Sequence, residues 1–127
     1  MGSPKHQFCW NELATPNVEA AKEFYSRCFG WTFIDHKMDH GTYTMIKHGD
    51  QEFAGMWHIT DDMAKDVPPH WMSYILVDDI DEMLLKVQKN GASVKVPVTK
   101  AGEFGRFAVI TDPTGAHIAM WQAAGEC

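Results

Sequence analysis

No apolar run in the chain approaches the roughly 18 residues that a membrane-spanning helix needs, so no membrane partner is expected. Positive charge is scarce: 11 Lys and Arg stand against 17 Asp and Glu, a net charge of −6. Nucleic-acid binding rests on a basic patch that neutralises phosphates, and no clustered basic stripe offsets the deficit, so nucleic acid is not expected as a partner either. Cysteine is sparse. Cys9, Cys28 and Cys127 are odd in number and lack CxxC spacing, which points to a reduced, cytoplasmic setting with two small semi-buried residues and one tail thiol. The opening MGSPKHQ is polar and no apolar stretch follows it, so no secretory leader is expected.

What is present suits a globular fold. The 127 residues are 45% hydrophobic and 22% charged, enough for one domain that buries roughly two-thirds of the unfolded surface. The chain also repeats itself. At an offset of 62, Leu13 pairs with Ile75, Val18 with Ile80, Ala21 with Met83 and Tyr25 with Val87. Both copies read strand, turn, helix. CWNEL is a short strand, Asn17 a helix N-cap, and Val18, Ala21, Tyr25 and Cys28 recur at helical spacing up to Gly30. In the second copy SYILV is the strand, Asp79 with Glu82 makes a capping-box start, and Ile80, Met83, Leu84 and Val87 form the apolar stripe before Gly91.

Beyond each helix the echo continues at an offset of 64, where YTMI at 43–46 matches FAVI at 107–110 and Met56-Trp57 matches Met120-Trp121. Insertions in loops cost little, which allows the change of offset. Asp112-Pro113-Thr114-Gly115 predicts a turn, because Pro fixes φ at its second position and Gly suits its fourth; His48-Gly49-Asp50 is its weaker counterpart. Each half therefore reads β-α-β-β-β: module one over about 7–60, a linker over about 61–69 containing DVPPH, module two over about 70–122, and a tail at 123–127, all within a single domain 1–127. A half of that size is marginal alone, so the two sheets are expected to pair within the chain or between chains.

The segments CWNEL, EFYSRCFGW, PPHWMSYILVDDID, GRFAVITDPTG and AMWQ resemble the glyoxalase, bleomycin-resistance and extradiol-dioxygenase superfamily, the vicinal oxygen chelate proteins. The likeness covers nearly the whole chain, and it is greatest to a branch related to lactoylglutathione lyase. It implies an α+β fold of tandem β-α-β-β-β modules whose curled sheets enclose a cleft, commonly in a homodimer. It implies no one activity, since the superfamily includes isomerases, epimerases, dioxygenases and proteins that sequester antibiotics.

Strand alternation divides the residues between two faces. Leu13, Ile75, Val77, Ala54, Met56, Ile118 and Met120 form an aliphatic layer suited to packing beneath helices. The opposite parity collects Phe8, Trp10, Glu12, Phe53, Gly55, Trp57, Met72, Tyr74, Leu76, His117, Ala119 and Trp121. The resemblance places the metal ligands of its metal-binding members at the positions of Trp10, Gly55, Met72 and Ala119, none of which offers an imidazole or carboxylate. No cofactor and no catalytic metal are therefore expected; a divalent metal held by relocated ligands is the alternative. His6, His36, His40, His48, His58 and His70 fall in the N-terminal tail, near turns or at strand ends.

Candidate ligand-binding residues are Trp10, Phe53, Trp57, Met72, Tyr74 and Trp121, which either wall a pocket for a flat or apolar small molecule or fill a core or dimer interface. Arg106, in GEFGRF, is a candidate anchor for an anionic group, or else a surface residue at a strand start. Glu12 and His117 are the candidate catalytic pair. A carboxylate next to Trp10 would be desolvated into the range useful for acid-base work, or be tied up in a structural hydrogen bond. His117 would assist it or tip into solvent. The favoured expectation is a small-molecule binding protein with an aromatic cleft, and a homodimer. The alternatives are a lyase or isomerase using Glu12, a metal enzyme, and an interaction module whose cleft is only a dimer core.

Overall fold

A computed structural model describes residues 5–38, 41–60 and 67–124. His40, Cys127 and residues 61–66 of the expected linker lie outside the described residues. The elements run β1 (Phe8–Thr15), α1 (Val18–Phe29), β2 (Thr32–Met38), β3 (Gly41–His48), β4 (Gln51–His58), β5 (His70–Leu76), α2 (Ile80–Lys89), β6 (Ser93–Ala101), β7 (Gly105–Thr111) and β8 (His117–Ala123). The β-α-β-β-β order thus occurs twice.

The chain forms two compact units, one of Trp10–Met72 and one of Ser73–Cys127 joined by Met1–Cys9. The N-terminal segment joins the second unit through backbone hydrogen bonds: the His6 N–H donates to the Leu76 carbonyl at 2.7 Å and the Leu76 N–H to the Gln7 carbonyl at 3.0 Å.

In the unit of residues 10–72 the strand order is β2-β3-β4-β1, antiparallel except for the parallel β1–β4 pair. A parallel neighbour requires a crossover, and α1 supplies it. The Asn17 carboxamide oxygen accepts the Ala20 N–H at 3.0 Å to start α1, and Gly30 at φ 74° ends it by returning its N–H to the Ser26 carbonyl. Val18, Ala21 and Tyr25 then lie on Leu13, Ile46, Ala54 and Met56, the buried centre of this unit. At the end of α1 several rings meet: Tyr25 stacks on Trp31 at 4.9 Å and accepts the Trp71 indole N–H at 3.2 Å, with Phe24 and Phe29 alongside.

The second unit repeats the plan as β5-β8-β7-β6, with β5 and β8 parallel. Asp79 caps α2 by accepting the Glu82 N–H at 3.1 Å, the contact expected of a capping-box start. Val77, Ile80, Ala108, Ile110 and Met120 form its buried centre. Pro97 is tolerated in β6 because this strand ends the order and its pairing with β7 shifts register between Val96 and Thr99. The Asp112-Pro113-Thr114-Gly115 turn closes as its sequence predicts. Gly115 donates to the Asp112 carbonyl at 2.9 Å, and the Asp112 carboxylate collects the Thr114 hydroxyl and the Thr114 and Ala116 N–H groups.

Candidate functional site

Cross-strand register in residues 10–72 builds two rows on the face opposite α1. One runs Ile34, Met45, Gly55, Glu12 and the other His36, Tyr43, Trp57, Ala14. Trp10 lies two residues before Glu12 on β1 and shares its parity. The two rows are tied together by one side chain. Tyr43 lies so close over Gly55 that a Cβ at position 55 would collide with its hydroxyl and ring. Glycine inside a strand marks a close approach, and here the approaching group is a phenol from the neighbouring strand.

The Tyr43 hydroxyl is held from two sides. The Trp10 indole N–H donates to it at 2.9 Å. An indole nitrogen can only donate, so the phenol oxygen is the acceptor and its own proton goes to the Glu12 carboxylate. Burial first, and the neighbouring Glu12 charge second, push the Tyr43 phenol far above its ordinary range. It therefore stays protonated at any working pH, as a neutral donor to Glu12. Trp10, Glu12, Tyr43 and Trp57 are all partly buried. The result is a hydrogen-bonded Trp10–Tyr43 pair, with Trp57 as the cross-strand partner of Tyr43.

Phe53 does not join this face. The pairing slips between Ile46 and Lys47, where Ile46 pairs with Ala54 but Lys47 pairs with Glu52, so Phe53 is an extra residue in β4. The bulge breaks the alternation that grouped it with Gly55 and Trp57. Phe53 instead packs with the α1-side core, edge-on to Trp31 at 4.9 Å. Met72, partly buried on β5, ends this unit.

The remaining candidates belong to the second unit. Tyr74 is buried and meets Phe107 edge-to-face at 6.5 Å, and Phe107 is the cross-strand partner of Trp121. Phe107 thus extends the aromatic set beyond the residues singled out from sequence. His117 is exposed at the hairpin mouth, its Nδ1 3.0 Å from the Thr111 hydroxyl, which is the solvent-tipped arrangement. Arg106 is committed to the start of α2: it pairs with Asp81 at 3.1 Å and donates to the Gln122 side-chain oxygen at 3.1 Å, which also accepts the Ile80 N–H. That geometry fits a structural residue that completes a helix N-terminus better than an anchor for an anion.

The family's usual metal does not fit the residues at the implied ligand positions. Trp10 uses its indole on Tyr43, and the space a side chain at 55 would need is taken by the phenol. Met72 and Ala119 offer no imidazole or carboxylate. Among the described residues no group of three or more His, Cys, Asp or Glu is placed to hold a metal ion. Tyr43 is the residue that sequence reasoning passed over. Its signal was a glycine in mid-strand at 55 with a tyrosine on the adjoining strand.

Among known proteins, CFP32 of Mycobacterium bovis, named as a glyoxylase, is 37% identical over 116 residues, covering 90% of this chain and 44% of that protein. The anthracycline biosynthesis protein DnrV of Streptomyces peucetius is 29% identical over 125 residues, covering 89% of this chain and 46% of its own. The chain thus spans about half the length of the curated relatives it matches. Methylmalonyl-CoA epimerase from Mycobacterium tuberculosis superposes with a TM-score of 0.67 at 14% identity, over 98% of this chain and 94% of that one, a likeness of fold. Among the described residues no helix is long and apolar enough to cross a membrane. Residues 7–120 match the Glyoxalase/Bleomycin resistance protein/Dioxygenase superfamily, and the chain belongs to it.

Proposed function

We propose that the chain is a small-molecule binding domain that receives a flat aromatic ligand on the face formed by Trp10, Tyr43 and Trp57. The observation that carries this is the exchange at Gly55. The strand gives up a side chain so that a phenol, held by the Trp10 indole, lies over it, with Trp57 as the cross-strand partner of that tyrosine. Ligand sites are typically aromatic walls around a few fixed polar groups, and this face has both. Two relatives named for anthracycline biosynthesis, a class built on fused aromatic rings, support the same ligand shape.

The test is a thermal-shift and tryptophan-fluorescence titration against neutral fused-ring compounds such as anthraquinones, with Trp57→Ala as the comparison. Saturable binding that weakens in the variant is the expected result. Absence of any shift across the set would sink the proposal.

A second reading, an enzyme, is favoured by the Tyr43–Glu12 hydrogen bond. A carboxylate hydrogen-bonded to a fixed phenol is oriented on this face, as a group that moves a proton next to a carbonyl must be. Full turnover by Glu12→Gln on an identified substrate would exclude it.

We also propose that the chain works as a cytoplasmic homodimer. Curated relatives about twice its length leave room for a second such unit in each, and Cys9 and Cys28 are both free thiols. Light scattering after size exclusion tests the stoichiometry.

A further inference from the structure

The aromatic residues at the end of α1 are only partly covered by the fold. Tyr25 and Trp31 stack on each other and pack against the buried centre of their unit, whereas Phe24, Phe29 and Trp71 keep 53%, 55% and 40% of their surface exposed. The rings nonetheless form one array. Phe24 meets Tyr25 edge-on at 4.9 Å and Phe29 at 6.4 Å, and Trp71 meets Tyr25 edge-on at 5.7 Å. Three half-exposed rings present on the order of 300 Å² of apolar surface, the level at which such a patch marks an interaction site. That is the core of an interface rather than the whole of one, for which about 800 Å² per partner is usual. The remaining area must come from the polar surface beside the rings, and α1 supplies it. Its charges are Glu19, Lys22, Glu23 and Arg27, which balance on a chain whose net charge is −6. Glu23 and Arg27, one turn apart beside Phe24, pair at 3.0 Å with side chains 64% and 76% exposed. An ion pair so exposed contributes little within its chain, so it can exchange partners without loss.

Resting on the homodimer reading above, we propose that this patch is where a second copy of the chain docks, α1 of each copy crossing α1 of the other about a two-fold axis near Phe24 and Tyr25. Such an axis makes every contact reciprocal. Arg27 of each copy then faces Glu23 of the other, so the pair made within one chain is made twice between chains. Phe24, Phe29 and Trp71 fill the centre and lose their contact with water. A surface carrying acids alone would repel its own copy, whereas this one is self-complementary in charge. The rings are already packed on one another, so docking orders few further rotamers.

The test is the dimer dissociation constant, measured by light scattering after size exclusion over a range of concentrations at low ionic strength. Phe24→Ala should raise it by at least about tenfold. Arg27→Glu and Glu23→Arg should each raise it by about tenfold, since each sets like charges opposite one another. An equimolar mixture of those two variants should associate within about threefold of the wild type, because every Arg again faces a Glu across the axis. A pair acting only within its own chain would not be repaired by mixing two chains. Should Phe24→Ala lose its fold, the charge reversals carry the test, since both side chains are more than half exposed. A wild-type dimer whose constant none of the variants alters, or reversals that mixing does not rescue, would overturn this surface and leave the homodimer reading intact. A chain that stays monomeric across the range would overturn both.

Discussion

The Tyr43 hydroxyl fills the space that a side chain at position 55 would occupy, and it is fixed there by the Trp10 indole at 2.9 Å. The two positions are coupled: what one carries determines what the other can carry. Gly55→Ala should therefore destabilise the chain by about 1–3 kcal/mol through overpacking. In a Tyr43→Ala background the same change should cost little. Urea unfolding of the four members of the cycle measures the coupling, and additive penalties would show that the two positions do not communicate.

Tyr43→Phe removes the acceptor of the Trp10 N–H and the donor to Glu12 while keeping the ring. A partly buried donor left unmatched should cost about 1–3 kcal/mol in chemical denaturation. Adding Trp10→Phe should recover part of that loss, since the orphaned N–H goes with it.

Arg106→Ala should act on stability rather than on ligand affinity. Its pair with Asp81 is half-exposed, so the loss should be less than about 1 kcal/mol, visible as a small shift in melting temperature. Gln122→Ala should cost more than Arg106→Ala, because it strips the Ile80 N–H at the first turn of α2 of its acceptor. A large loss of ligand binding in Arg106→Ala would restore the anion-anchor role.

Acid should weaken the fold through Asp35. The Thr44 hydroxyl first, and Lys22 next, hold its carboxyl below the ordinary 3.8. A folded-state value below the unfolded one means that the stabilisation is complete above the ordinary value and is lost as pH falls through the lower, folded one. Asp112, held down by the Thr114 hydroxyl and the turn N–H groups, follows the same sign. Melting temperature should thus fall below about pH 4, and Asp35→Asn should flatten that limb.

The repeat was legible because each module announces itself with local chemistry. Asn17 and Asp79 cap, Gly30 terminates, and the Asp112 turn closes, all within a few residues of sequence. The aromatic face was legible only by parity, and parity fails at a bulge. One additional residue near Lys47 moved Phe53 to the α1 side, a register event that no pattern within β4 records. Arg106 was ambiguous from sequence because its partners Asp81 and Gln122 are distant along the chain. Tyr43 escaped because its importance comes from a neighbour on another strand, and strand register joins the two.

The Tyr43–Gly55 exchange also restricts how such a chain can change by single steps. A metal-ligating side chain introduced at 55 meets the phenol before it meets any ion, so that substitution is disfavoured until Tyr43 has been replaced. Replacing Tyr43 first leaves Trp10 without its acceptor, a separate penalty. Both intermediates should be less stable than the start, one through overpacking and the other through an unmatched indole N–H. A route between this face and a metal-binding one should thus be passed most readily by changing both residues together.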